Sequence, residues 1–130
     1  MPPDSAVGPG EHVQRLPRWV PFAATLVVVT ALLLWPRPDR TAPGEGVEAI
    51  PDAFAHAAAY VALAVTGGVA TRAHHWLLLF VAAHAALTEY LQAFVPGRTP
   101  NPRDWLANMA GAVLGLGLVW LARRRRPAGE

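Results

Sequence analysis

The sequence predicts an all-α membrane protein in which four transmembrane helices form a bundle and both termini are cytoplasmic. Hydrophobic residues make up 53% of the 130-residue chain, and charges are almost absent from four long blocks. A helix needs about 20 apolar residues to cross a hydrocarbon core of ~30 Å, with a working range of about 17–25. The blocks in or near that range are residues 19–35, 53–71, 76–95 and 105–122.

The tryptophans support this interpretation. All five lie at or near the ends of three of the four blocks, where aromatic belts form at the membrane–water interface. The alternative is a soluble helical bundle, but four nearly uncharged blocks would be hard to cover with so little polar surface. The residues concerned are Trp19, Trp35, Trp76, Trp105 and Trp120.

The first element is a Pro/Gly-rich segment, residues 1–17, which we expect to be a disordered cytoplasmic tail. The first span follows it and could be confused with a secretory signal peptide. However, the stretch from Trp35 to Pro38 carries prolines and an arginine in place of a small-x-small cleavage site. We therefore expect a retained helix, followed by a polar loop over residues 36–51.

The remaining elements are three further spans and their connections. The second span follows Pro51, a short turn at 72–75 leads into the third, and a second polar loop at 96–102 leads into the fourth. Residues 123–130 form a basic cytoplasmic tail. The transmembrane domain, with all four spans, therefore covers residues 18–122.

The arginines predict the orientation. All eleven basic residues are arginine, and the larger group, which includes positions near both termini, marks the cytoplasmic side. The two polar loops then face outward. The larger group contains Arg15, Arg18, Arg72 and the run at 123–126, and the smaller contains Arg37, Arg40, Arg98 and Arg103.

Several kinds of site are excluded by residue types. The chain has no cysteine, which excludes disulfides, thiolate nucleophiles and cysteine-based zinc sites. Its only serine is Ser5 in the tail, so a Ser/His/Asp triad cannot form. The sequence implies no cofactor. There is no HExxH pattern, and zinc held by His56, Glu89 and Asp104 is kept only as an alternative. The arginine run indicates topology and lipid-headgroup contact, not nucleic-acid binding.

Polar residues near the outer ends of three spans share helix faces with small residues further in. If these faces pack together, the polar side chains converge a turn or two below the outer surface. In the fourth span, Gly111 and Gly115 form a GxxxG pattern that permits close helix approach. The polar pairs are His56 and Tyr60, Glu89 and Gln92, and Asp104 and Asn108.

Glu89 carries the strongest functional signal. A carboxylate inside a membrane must pair with a cation or take up a proton, and the candidate partners are Arg98, Arg103 and His56. For Gln92, Asn108 and Tyr60, a purely structural role, in which they hydrogen-bond one another and stabilise helix packing, is as good an interpretation as a functional role. We expect His84, which lies on another face of the third span, to be a neutral interhelical hydrogen-bond partner.

Three motifs, in order and spanning roughly residues 51–121, resemble the VanZ-like family of small integral membrane proteins. They are similar to that family's D-K-x-x-H-F-x-x-Y, E-x-x-Q-x-F-x-P-x-R and D-x-x-x-N-x-x-G patterns. Ala53 stands where the family usually has Lys, and Ala57 where it often has Phe, so one possible cation near the site is lost. Here the motifs read Asp52-Ala-Phe-Ala-His56-Ala-Ala-Ala-Tyr60, Glu89-Tyr-Leu-Gln92-Ala-Phe-Val-Pro96-Gly97-Arg98 and Asp104-Trp-Leu-Ala-Asn108-Met-Ala-Gly111.

The resemblance implies a multi-pass protein of the bacterial plasma membrane, associated with resistance to glycopeptide antibiotics of the teicoplanin type. The family has no settled reaction, so no catalytic role carries over from it. Eight positions match its motifs residue by residue. They are Asp52, His56, Tyr60, Glu89, Gln92, Arg98, Asp104 and Asn108.

The leading hypothesis is an outward-facing polar pocket that binds or modifies a membrane lipid or a lipid-linked envelope precursor. In this hypothesis Arg98 and Arg103 hold an anionic phosphate. The catalytic candidates are Glu89 and His56 as acid and base, with Asp104 orienting them. The further binding candidates are Gln92, Asn108, Tyr60 and Asp52.

Two other hypotheses belong to different functional classes. In the first, the protein is a non-catalytic scaffold or binding protein whose buried polar cluster fixes helix packing. In the second, it is a small transporter or flippase subunit, which with four spans would need to oligomerise to form a path. The sequence leaves the oligomeric state open.

Overall fold

The computed structural model describes residues 15–37 and 49–125, and within them it contains four α-helices and no strand. The predicted all-helical class and its four elements are confirmed. Most of the predicted N-terminal tail, most of the first polar loop and the last five residues lie outside the described residues. The helices are α1 (Trp19–Leu33), α2 (Ala49–Ala70), α3 (His74–Gln92) and α4 (Pro102–Arg124).

Local sequence explains where α1 ends and α4 begins. Pro36 disfavours helical geometry in the residue before it, and the backbone N–H groups of Leu34 and Trp35 close the last turn of α1. At the start of α4 the Asn101 side chain accepts a hydrogen bond from the Arg103 backbone N–H at 3.1 Å. Pro102 then occupies the first helical position, where its missing N–H costs nothing.

Two helical segments, Asp52–Ala70 and Pro102–Arg124, are long and apolar enough to cross a membrane, with mean hydropathies of 1.5 and 1.7. α1 has 15 residues and is shorter than the usual span of about 20. α3 has 19 residues, but its histidines, Glu89 and Gln92 make it more polar. Length and composition therefore support two spans, and the four-span arrangement and the side of the termini stay predictions.

α2 and α4 form the most extensive helix pair, and they run parallel, since contacts advance in the same chain direction from Gly111 with Ala57 to Gly115 with Val61. A Cβ at Gly111 would overlap the carbonyl of Ala57, and one at Gly115 would lie 2.7 Å from the carbonyl oxygen of Val61. The two helix backbones are therefore in direct contact along this seam. The predicted role of the GxxxG pattern in close helix approach is confirmed, and both glycines act within one chain.

α1 and α3 complete the bundle. α1 packs against α2 and α3, and α3 against α4. The core runs through the middle of the four helices and is centred on Tyr60 and Leu63, both fully buried. Around them pack Val29, Leu33, Ala64, Leu77, Val81, Ala85 and Ala112.

The turn after α3 is bound to the end of α1. The Arg37 backbone N–H donates to the carbonyl of Pro96 at 3.0 Å. Gly97 has φ +73°, a conformation that favours glycine, and a Cβ there would overlap the backbone of Arg37. The ends of α1 and α3 are thereby held together at one end of the bundle.

The outward surface is strongly apolar on all four helices. Large hydrophobic side chains stand exposed on α1 and α3 as well as on the two longer helices, with Val27 68% and Leu79 59% exposed. Exposed apolar patches of this extent mark an interaction or membrane surface. Other members are Val28, Leu32, Phe54, Val69, Leu87, Leu106, Val113, Leu114 and Leu118.

Candidate functional site

The centre of the site is His56, about two turns into α2, where it faces the first turns of α4. Its Nδ1 lies 3.1 Å from Asn108 Oδ1, and its Nε2 lies 3.9 Å from Asp104 Oδ2. All three residues are buried, with exposures of 3%, 0% and 9% for His56, Asn108 and Asp104. The first distance is a hydrogen bond and the second is longer than one. The imidazole is thus oriented by the amide and keeps its second nitrogen turned towards a carboxylate.

Glu89 lies beside this group at the end of α3. Its Oε1 accepts a hydrogen bond from the backbone N–H of Asn101, just before α4. Asp104, His56 and Arg98 are the ionisable groups near enough to influence it electrostatically. The structure therefore brings Glu89, His56, Asp104 and Asn108 together, as the helix faces predict.

Two atoms of this cluster are buried without a hydrogen-bond partner among the described residues. They are Glu89 Oε2 and Asn108 Nδ2, an acceptor and a donor. More than nine in ten buried polar groups in proteins have a partner, and an unsatisfied one costs about 1–3 kcal/mol. The cluster therefore has hydrogen-bonding capacity that its own side chains do not use.

An ion pair lies at the partly exposed edge of the cluster, which we call its mouth. Arg37 Nη1 and Asp52 Oδ1 are 2.8 Å apart, with roughly a third and a fifth of their side chains exposed. The charges of both act on Asp104. Three carboxylates and two guanidinium groups thus lie at the same end of the bundle as His56. The carboxylates belong to Asp52, Glu89 and Asp104, and the guanidinium groups to Arg37 and Arg98.

Arg98 and Gln92 bind the end of α1 in this structure. Arg98 donates from Nη2 to the carbonyl of Leu32 at 2.8 Å and from Nε to that of Trp35 at 3.2 Å. Gln92 Nε2 donates to the carbonyl of Leu33 at 2.9 Å. The last carbonyls of a helix lack partners within the helix, so both side chains cap α1. Their contacts here are structural, while the charge of Arg98 still acts on Glu89 and Asp104.

Tyr60 belongs to a second, deeper network that joins three helices. The Thr30 hydroxyl donates to Leu26 O at 2.7 Å and so accepts from His84 Nε2 at 2.9 Å. His84 Nδ1 then accepts from the Tyr60 hydroxyl at 2.8 Å. Both ring nitrogens of a neutral imidazole are satisfied in this way. The expectation that His84 is an interhelical hydrogen-bond partner is confirmed.

Arg103 is exposed, and among the described residues its backbone N–H alone enters the hydrogen bonding. The sequence interpretation missed Arg37, Asn101 and Thr30. Arg37 could have been found from its position at the same bundle end as Glu89. Asn101 precedes a proline, a typical helix start.

Within residues 15–37 and 49–125, no three His or acidic side chains could together hold a metal ion.

Comparison with known proteins gives one match. The family model described as VanZ/LLP1 matches residues 2–123, nearly the whole chain. No curated protein and no solved structure matches the chain.

Proposed function

The chain belongs to the VanZ-like family, and we propose that it is a four-span protein of the bacterial plasma membrane whose polar site faces outward. The apolar helices fit a membrane protein. The extension to four spans is supported by the exposed apolar side chains of α1 and α3, since such a surface is stable against lipid and costly against water. The arginine distribution supports the orientation.

We further propose that the site binds the polar part of a lipid or a lipid-linked envelope component, and that this binding lowers susceptibility to teicoplanin. The observation that carries the proposal is the pair of buried unsatisfied atoms, Glu89 Oε2 and Asn108 Nδ2. They are an acceptor and a donor of the same polar cluster, and hydroxyl and amide groups of a ligand supply the partners that such atoms lack. Ionisable groups at such a depth mark functional sites by default.

The geometry also provides for proton transfer. His56 is oriented by Asn108 through Nδ1, and its Nε2 faces Asp104 across 3.9 Å. Glu89 is held by one oxygen, while the other carries no hydrogen bond within the described part of the chain. In the proposed mechanism Glu89 and His56 act as acid and base on the bound component, and Asp104 orients the imidazole. The charges of Arg37 and Arg98 hold an anionic group near the mouth.

The test is the inhibitory concentration of teicoplanin in a sensitive host that expresses wild type or Glu89→Gln, with membrane protein level measured in parallel. Glutamine keeps a carbonyl oxygen to accept from the Asn101 N–H and removes the carboxyl that exchanges protons. The matched control is Tyr90→Phe, because Tyr90 adjoins Glu89 but is 64% exposed. We expect protection by wild type and Tyr90→Phe, and its loss in Glu89→Gln at equal abundance.

Two results would contradict the proposal in different ways. Wild type without protection would refute the resistance role. Full protection by Glu89→Gln would refute a role of that carboxyl in acid–base catalysis. Ligand binding would then remain as the only proposed role of the site.

A non-catalytic scaffold is the second candidate function, and a specific observation favours it. Gln92 and Arg98 both donate to carbonyls at the end of α1. These two polar side chains therefore already stabilise the packing of the helices. If the whole cluster is structural, Glu89 and Asp104 variants lose folded protein while the remaining protein protects normally. Abundance measured beside protection separates the two functions.

A further inference from the structure

A large groove lies at the end of the bundle opposite His56. It has a volume of about 1030 Å³, at the upper end of the roughly 300–1,000 Å³ usual for ligand pockets. Its walls come from the last turns of α2 and α4, and its floor is apolar. The apolar lining comprises Val65, Val69, Leu118, Val119 and Ala122.

Three arginines from three separate parts of the chain line the same groove. Arg18 precedes α1, Arg72 lies in the turn between α2 and α3, and Arg123 is in the last turn of α4. The side chains of Arg18 and Arg72 are exposed and form no hydrogen bond or ion pair within the described residues. No group in those residues neutralises their charges.

Arg123 is held in place by the protein. Its Nη2 donates to the carbonyls of Gly68 at 2.6 Å and Thr71 at 3.2 Å, and its Nη1 lies 3.0 Å from His74 Nε2. The guanidinium thereby caps the end of α2 and is fixed at the rim of the groove. A positioned cation of this kind loses little freedom when an anion binds beside it.

No acidic side chain of residues 15–37 and 49–125 lies at this end. The carboxylates in those ranges, Asp52, Glu89 and Asp104, all belong to the opposite end. Trp19, Trp76 and Trp120 are exposed around the groove end, where aromatic side chains mark a membrane interface. The groove thus combines an apolar floor, a cationic rim and an interfacial position.

We propose that this groove is a binding site for one anionic phospholipid. Its acyl chain lies on the apolar floor, and its phosphate is bound by Arg18, Arg72 and Arg123. Basic pockets between membrane helices bind anionic head groups in this manner, and the apolar floor distinguishes a lipid from a soluble phosphate. The inference is independent of the activity proposed for the Glu89 site.

The test is native mass spectrometry of the full-length protein in detergent, titrated with phosphatidylglycerol or with phosphatidylcholine of the same chains. We expect one tightly held phosphatidylglycerol and weaker binding of phosphatidylcholine. Arg72→Gln should weaken phosphatidylglycerol binding about fivefold and Arg18→Gln/Arg72→Gln about 25-fold, the order expected for arginines at a membrane surface. Ala122→Phe should weaken the binding of both lipids by filling the floor.

The matched control is Arg124→Gln, because Arg124 lies at the same end but stacks on Trp120 outside the groove. It should bind phosphatidylglycerol like wild type. Helical content and elution volume are checked for every variant. Equal binding of the two lipids, or equal losses in Arg124→Gln and Arg72→Gln, would overturn the site. Displacement of the lipid by glycerol phosphate at comparable concentration would show an anion site in its place.

Discussion

Replacing Gly115 with alanine tests the close packing of α2 and α4. The added Cβ would lie 2.7 Å from Val61 O and 2.9 Å from Ala64 Cβ. Neither atom can rotate away, because one belongs to the backbone and the other is attached to it directly. To reach an ordinary contact of at least 3.4 Å, the helices must separate locally by about 0.7 Å, and a gap of roughly 0.5–1 Å forfeits a quarter to a half of the dispersion attraction.

The separation affects the contact between α2 and α4, which is the most extensive helix pair of the bundle. The loss of packing energy is therefore not confined to one pair of atoms. Overpacking of this kind costs about 1–3 kcal/mol. Gly117→Ala is the matched control, since a Cβ at Gly117 meets nothing within 4 Å. On the same helix it should be neutral or slightly stabilising, because alanine is the better helix former.

The assay is unfolding in detergent by titration with a denaturing detergent, followed by circular dichroism. The expected order of stability is Gly117→Ala at or above wild type, and Gly115→Ala below it by about 1–3 kcal/mol. If Gly115→Ala unfolds at the same denaturant concentration as Gly117→Ala, the glycine seam does not hold α2 against α4 and the reasoning is wrong.

Three further predictions concern residues in the core and at the polar end of the bundle. Tyr60→Phe removes the hydroxyl that donates to His84 Nδ1 and should cost about 1–3 kcal/mol of unfolding free energy, measured in the same titration; unchanged stability would contradict the network. Gln92→Ala removes the donor to Leu33 O and should lower the amount of folded protein in membranes, measured by fluorescence-detected size exclusion; wild-type yield would count against its role as a cap. Gly97→Ala combines a positive φ with a clash against the neighbouring backbone, so its yield by the same measurement should fall below that of Gln92→Ala, and wild-type yield would show that the turn can be rebuilt.

The helices and their buried faces were predictable because membrane helices depend on local properties of the chain. Runs without charge indicated the four helices, and the spacing of His56, Tyr60, Asp104 and Asn108 placed each on a face that is indeed buried. Proline at 36 ended α1 earlier than the hydrophobic run alone indicates. That end is still local chemistry, since it follows from the backbone restriction before a proline.

The sequence did not predict which member of the polar cluster would form which hydrogen bonds. Gln92, Arg98 and Tyr60 match the same family motifs as Glu89 and His56. Only the packing shows that Gln92 and Arg98 donate to the end of α1, and that Tyr60 bonds with His84 in a separate, deeper layer.

The sequence alone therefore determined the helical class, the helix faces and the end of the bundle at which the acidic residues gather, because these follow from residue spacing and from the cost of charge in lipid. The tertiary structure decided which polar atoms are satisfied, that Arg37 joins the site, and that three distant arginines share one groove. Hydrogen-bond partners and groove walls come from residues far apart in the chain. Their meeting depends on how the glycine seam of α2 and α4 brings the helices together.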